Sequence, residues 1–473
     1  MFTLTLLAVV CVSYVLQQTL VVPALPTIQR DLDTTTTWAT WIFTGFLLTS
    51  AVATPLIGKL GDTYGKKKLL VIVMIIFAIG TVAAALSTSI AMLIAARALQ
   101  GAAGAIFPLA FGIVRDEMPP EKVGMSLGLL SATLGIGAGV GLVLSGVVLE
   151  SFTWEWLFWF GAIPVLLALP PTWLLLPESR VRTPSRIDWQ GALTLSVGLS
   201  ALLVALSEGE RWGWLSATTL GVFAASFVVL CLWVWVELRV PEPMVEIGMM
   251  RERAVLWSNI VAIIVGFSMY GTFLLVPTFV QMGAGLPDAT ADLITYGFGA
   301  SVIAAGLFLL PSSLAMLVVG PLGGALEPRV GAKALTGAGS VVLGLGGLML
   351  ALFHDAGWQI VVAMTLIGIG VALVYAMLAK LIIDAVPPSV TGVAIGVNTV
   401  MRTIGGVIGG QVGAALLSAI TIQGTELPAE NAFTATFLIA AIVAFIGALA
   451  VLRVPGRGAR TARAPVVEPA VSR

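Results

Sequence analysis

The residues best placed to do chemistry form a short cluster, Gly58-x-x-x-Asp62-x-x-Gly65-Lys66-Lys67-Lys68, between two long apolar runs. At a helix–loop–helix junction this spacing makes physical sense. Gly58 lets neighbouring helices approach, and Gly65 permits a tight turn. Asp62 can accept hydrogen bonds from a nearby helix N-terminus or pair with a basic residue. The lysines can meet anionic lipid and hold the loop on one side of a membrane. Two arginines stand inside apolar runs: Arg97, with Gln100 one turn on, and Arg402, with Asn398 one turn before it. A charge in hydrocarbon is costly, so each must face a partner or a cavity. Substrate orientation or gating is one reading of these arginines, and bonding to backbone carbonyls is the other.

Further polar groups share helical faces. Tyr14, Gln17 and Gln18 fall at i, i+3 and i+4 of the first run, and Asn259 and Tyr270 lie roughly on one side of the ninth. A substrate path explains them, and interhelical hydrogen bonding explains the amides equally well. Trp41, Tyr296 and Tyr375 could stack on a ligand; packing or interface anchoring accounts for them too. The rows Gly405, Gly409, Gly413 and Gly406, Gly410 read as a packing face. Cys11 and Cys231 fall inside apolar runs and suggest neither a disulfide nor a metal site. His354, beside Asp355, reads as a solvated loop residue. No Walker loop, metal-ligand cluster or nucleophile–base arrangement accompanies the runs. The expectation is therefore no enzyme, no cofactor, no metal and no nucleic-acid partner.

Composition sets what must position these groups. Of 473 residues, 58% are hydrophobic and 10% charged, with a mean hydropathy of +1.04. A soluble domain carries roughly 25% charged residues, so this chain could not cover itself with a polar surface. Apolar runs recur near residues 3–22, 38–58, 69–86, 91–114, 122–149, 156–176, 188–206, 216–236, 255–280, 293–320, 332–353, 358–380, 391–420 and 433–452. Each approaches the ~20 residues a helix needs to cross a bilayer. Lipid offers backbone amides no partner, so these runs must be helical. The expected class is an all-α polytopic membrane protein with 14 spans. The first run lacks a basic leader and a small-residue cleavage site, so it reads as a retained span.

Charge gives the orientation. Of the 24 Lys and Arg, Arg97 and Arg402 lie within spans, and Arg30 and Arg211 in loops on one side. All the others fall on the opposite side, which the positive-inside rule assigns to the cytoplasm together with both termini. Repetition gives the organisation. Pro55-Leu-Ile-Gly-Lys-Leu-Gly-Asp-Thr-Tyr-Gly-Lys-Lys67 and Pro321-Leu-Gly-Gly-Ala-Leu-Glu-Pro-Arg-Val-Gly-Ala-Lys333 agree at six of thirteen positions, each after a span entering that side. Duplicated six-span halves are a recurring plan for secondary transporters. The chain then divides into a bundle over 1–176, a linker and inserted helix pair over 177–240, a second bundle over 241–453 and a flexible tail over 454–473.

At this point a family resemblance is visible. The Gly58–Lys68 segment resembles the signature loop of the major facilitator superfamily, with Gly58, Asp62, Gly65, Lys66 and Lys67 at its characteristic positions. Arg97-Ala-Leu-Gln-Gly-Ala-Ala-Gly104 is similar to the second motif, R-x-x-Q-G-x-x-G, which singles out Arg97, Gln100, Gly101 and Gly104. Gly141-Leu-Val-Leu-Ser-Gly146, preceded by Gly137, resembles the antiporter motif G-P-x-x-G-G; Leu142 replaces its proline and Ser145 its first closing glycine. Gly137, Gly141 and Ser145 still repeat every four residues, a small face for close packing. Leu25-Pro-Thr-Ile-Gln-Arg-Asp31 and Asp188-Trp-Gln-Gly191 point to the fourteen-span drug:proton antiporter branch. Gln17 stands where similar pumps usually carry an intramembrane Asp.

The resemblance implies two six-helix bundles rocking about a central site. It implies export of small amphipathic compounds from a bacterial inner membrane, driven by protons, with a monomer in the lipid bilayer as the working unit. An importer or uniporter on the same fold, or a non-transporting scaffold or sensor, is the alternative. No Asp or Glu lies near the middle of a span, so Arg97 and Arg402 are the expected fixed charges at depth. They favour a neutral or acidic ligand over a cation.

Overall fold

The computed structural model describes residues 2–179, 186, 188–283, 294–425 and 427–455. Fourteen of its helices are long and apolar enough to cross a membrane. In chain order they are α1 (Phe2–Leu20), α2 (Thr36–Tyr64), α3 (Lys66–Ala85), α4 (Ile90–Glu117), α5 (Pro120–Ser151), α6 (Glu155–Leu175), α7 (Trp189–Trp212), α8 (Ala217–Glu237), α9 (Arg253–Gln281), α10 (Val302–Val330), α11 (Ala332–Leu352), α12 (Gly357–Ala385), α13 (Thr391–Ala419) and α14 (Glu430–Val451). Helix starts are capped as their sequences suggest. The side chains of Thr35, Ser89, Asp188, Ser216 and Ser301 each accept a hydrogen bond from an amide three residues on. The tail beyond residue 455 and most of the 180–187 linker lie outside the described residues.

Small residues decide which helices touch. α5 and α10 run antiparallel in close contact, Gly124 against Gly324, Gly128 against Gly320, Gly139 against Ser313 and Gly146 against Ile303. A Cβ at Gly124 or Gly128 would strike the partner's backbone at 3.0 Å or less. α9 and α13 run parallel and approach as closely, through Gly405 against Ile263, Gly409 against Phe267 and Gly413 against Leu275, with Gly406 and Gly410 beneath Tyr270 and Leu274. Both glycine rows therefore face α9. With no hydrophobic drive between helices in lipid, this close approach is what holds them.

The repeat has a structural counterpart. Gly65 and Gly331, equivalent in it, both turn the chain at positive φ, +110° and +89°. Gly58 abuts Gly392 at the start of α13, and its equivalent Gly324 abuts Gly124 near the start of α5. These junctions lie at one end of the bundle, the end carrying the three lysines, called the basic end below. The pair α7–α8 is joined by the Ser226 hydroxyl donating to the Gly198 carbonyl at 2.9 Å. α7 also packs on α2 and α13. At the far end the Ser418 hydroxyl of α13 donates to Glu210 of α7 at 3.0 Å.

Four expectations change. α2 continues to Tyr64, so Gly58 and Asp62 stand on its last turns and the turn itself is Gly65 alone. α10 begins at Val302 rather than near 293, which leaves Tyr296 outside it. There Tyr296 stacks on Phe279 and its hydroxyl donates to the Pro428 carbonyl, so it is a packing residue. Burial, reinforced by the negative charge of Glu430, pushes the Tyr296 phenol up to about 12 and keeps it a donor. His354 is not a solvated loop residue: its ring meets the Leu350 carbonyl at 2.7 Å and Glu430 at 2.9 Å, edge-on to Phe279. Arg211 belongs to the last turn of α7 and pairs with buried Glu208 at 2.9 Å.

Candidate functional site

The cluster read first in the sequence builds a junction between α2 and α13. Gly58 removes the side chain that would hold these helices apart. One turn on, Asp62 presents both carboxylate oxygens to the N-terminus of α13, accepting from Gly392 N and Val393 N at 3.1 Å each. These amides have no partner inside their own helix, and the positive end of the dipole favours an anion there. Lys66 is the correction. Expected among lipid-facing lysines, it is fully buried, 3.4 Å from Asp62 and 2.8 Å from Asp116 at the end of α4. A buried ammonium persists because two carboxylates share it.

Three residues of this junction carried no motif. Asp116 shares an end with Lys66 because α3 and α4 run antiparallel, so topology alone could have paired them. The Arg115 guanidinium donates to the Val386 carbonyl at 2.9 Å, the Pro387 carbonyl at 3.3 Å and the Thr391 hydroxyl, tying α4 to the turn before α13. Glu178 caps α3, accepting from Lys67 N at 3.1 Å and Lys68 N at 3.2 Å. Cations at a helix start oppose the dipole, and this carboxylate offsets them.

Arg97 lies deeper, fully buried within the first half. It donates to Gln100 Oε1 at 2.6 Å and to the Ile42 and Gln17 carbonyls at 3.3 Å, with its guanidinium 4.3 Å from the Phe46 ring centre. Gln100 in turn donates to Thr81 at 2.8 Å. Arg97 thus ties α1, α2, α3 and α4 together. The Gln17 side chain donates to the Phe158 carbonyl at 3.3 Å. Its own oxygen and one Arg97 nitrogen have no partner among the described residues. Gly101 and Gly104 bring α4 against Thr49, Ser50 and Thr54 of α2.

A second polar layer spans both halves. Arg402 of α13 stacks on Tyr375 of α12 with 4.2 Å between guanidinium and ring centre. Tyr14 of α1 and Tyr270 of α9 lie within electrostatic reach of Arg402, and Gln18 faces the Tyr270 hydroxyl. Tyr14 also bonds to Ser50 at 3.2 Å and stacks on Phe46, the ring that faces Arg97.

The other expected residues divide. Asn398 donates to Asn259 at 3.0 Å, a stitch between α13 and α9. Gly137 and Gly141 pack on Val15 and Thr19 of α1, and Ser145 donates to the Leu20 carbonyl at 2.8 Å, whereas Gly146 faces α10. Trp41 is half-buried on α2, in the turn between Trp38 and Gly45. The large open volume of about 1890 Å³ is elsewhere, a charged crevice at the basic end lined by Arg329, Lys333 and Asp384 among others.

The family model described as "Major Facilitator Superfamily" matches residues 7–410 and again 289–471. The chain belongs to the Major Facilitator Superfamily. Its fourteen helices and all-helical build fit that family's drug:proton antiporter branch, whose members transport and catalyse no reaction. Among superfamily relatives, the tetracenomycin C resistance and export protein of Streptomyces glaucescens is 29% identical over 84% of this chain and 72% of its own. The multidrug resistance protein Stp of Mycobacterium tuberculosis is 32% identical over 79% and 68%. Multidrug resistance protein 3 of Bacillus subtilis is 27% identical over 81% and 73%. In fold the chain resembles the crystal structure of the human organic anion transporter MFSD10 (TETRAN), with a TM-score of 0.66 and 16% identity over 95% and 98% of the two chains.

Proposed function

We propose that this superfamily transporter exports small amphipathic organic compounds by alternating access, with proton entry as the driving reaction. Residues 1–176 and 241–453 act as the two bundles, 177–240 as linker and inserted pair, and 454–473 as tail, in a monomer. The observation that carries the reading is Asp62 on the N-terminus of α13. It joins helices of different bundles through hydrogen bonds that can break and re-form, beside glycine contacts that tolerate sliding. The relatives named for resistance and export support the direction. The positive-inside count supports a cytoplasmic basic end in a bacterial plasma membrane.

Among the described residues no carboxyl lies mid-span. Proton coupling then rests on acids at span ends; Asp62, Glu208, Glu237 and Glu327 are buried there, as is the side chain of Asp116. Gln17, in place of an acid, favours an uncoupled carrier as the second reading. Dye efflux from cells separates the two: the first expects an uncoupler to reduce efflux at least tenfold, and the second expects no change. Orientation has its own test on α5. A cysteine at Ser151 is expected to react with an impermeant thiol reagent from outside, and one at Lys122 to stay unlabelled; the reverse pattern would invert the topology.

A further inference from the structure

The two in-span arginines differ in how far their hydrogen-bonding capacity is used. Arg97 is enclosed by Ile42, Gln17, Gln100 and Phe46. Arg402 is not. Its guanidinium carries five N–H donors, yet among the described residues none accepts a hydrogen bond from it. Its guanidinium lies on the face of Tyr375, a contact that uses none of the in-plane donors at the edge of the fork. The residue is half-buried. Tyr14 and Tyr270 lie within electrostatic reach of it, both carrying hydroxyls that can donate, and Gln18 faces the Tyr270 hydroxyl. Glycines shape the place: Gly406 lies under the Tyr270 ring and Gly266 under the Arg402 backbone.

Such a site is rich in donors and aromatic faces and holds no acid. A planar acceptor fits a guanidinium fork through two parallel hydrogen bonds. Aromatic walls select a flat ring attached to that acceptor. A cation would meet a like charge with no carboxylate within the layer to offset it. From these observations we propose that Arg402, walled by Tyr14, Tyr270 and Tyr375, anchors the carboxylate of an aromatic substrate. The proposal rests on the transport reading above for its physiological meaning, and names the substrate class. Tyr14 belongs to α1 and the other three to α9, α12 and α13, so the residues of the site come from both bundles.

The test is binding to the purified full-length protein in lipid nanodiscs, read by fluorescence anisotropy, with dye efflux measured in parallel. The probes share one ring system: 1-pyrenecarboxylate, its neutral methyl ester, and a trimethylammonium derivative. The carboxylate is expected to bind at least tenfold more tightly than either analogue. Arg402→Gln is expected to erase that preference, and Arg402→Lys, which keeps the charge but loses the fork, to leave an intermediate one. A thermal melt of each variant confirms folding. Equal or tighter binding of the ester or the cation, or an undiminished preference in Arg402→Gln, overturns the proposal. Uncoupler-sensitive export of the cation without carboxylate binding sinks the anchor and leaves the transport reading standing. Arg402-dependent carboxylate binding without any efflux keeps the anchor and sinks the transport reading.

Discussion

Asp62→Asn is expected to reduce efflux at least tenfold while the protein still folds and inserts. The carboxylate accepts from Gly392 N and Val393 N at 3.1 Å each, and its charge faces both a helix N-terminus and Lys66 at 3.4 Å. The amide keeps the size but offers one acceptor, carries no charge, and turns an NH2 group toward one of those donors. Hydrogen bonds to a charged group contribute roughly 1.5–3 kcal/mol each, and removing one partner of a buried pair costs about 3–5 kcal/mol. Lys66 retains Asp116, so the loss falls on the contact between bundles rather than on the fold of either. Efflux per molecule of protein, normalised by immunoblot, is the measurement. Wild-type efflux from Asp62→Asn would reduce the acid to a spacer.

Gly58→Val is expected to give a loss of the same size by a different route. A Cβ at this position would lie 2.6 Å from the Gly392 oxygen and 2.8 Å from its carbonyl carbon, and backbone cannot rotate away. The helices must part by roughly an ångström, and Asp62, one turn along, is pulled off the α13 amides. Gly45→Ala on the same helix is the control, since its Cβ would meet Ile94 at an ordinary 3.7 Å. Efflux from Gly58→Val within twofold of Gly45→Ala would show that the close approach is unimportant to the cycle.

The sequence carried the spans and the junction glycines because bilayer thickness and backbone contact leave few alternatives. Fourteen apolar runs became fourteen helices, and Gly58 and its repeat counterpart Gly324 stand where helices nearly touch. Polar pairing was less legible. Nothing in Lys66-Lys67-Lys68 separates the first lysine from its neighbours; burial of Lys66 follows from the direction of α4, which delivers Asp116 to it. In sequence α2 ends near residue 58, because Gly61 and Asp62 look like loop residues, whereas helical hydrogen bonding continues to Gly65. Arg97 and Arg402 looked equivalent in sequence. Their difference depends on which carbonyls and rings come from helices distant in the chain, among them Ile42 for the first and Tyr375 for the second.

The central claim is that the α2–α13 contact at the basic end opens and closes. Spin labels at Tyr64 and Ser389 report that end, and labels at Trp38 and Ala419 report the far end of the same two helices. Double electron–electron resonance in lipid nanodiscs measures both distances in the wild type and in Asp62→Asn. The account predicts that the substitution moves population toward longer basic-end distances and shorter far-end distances. One unchanged distance distribution at each end, in both proteins, would contradict it.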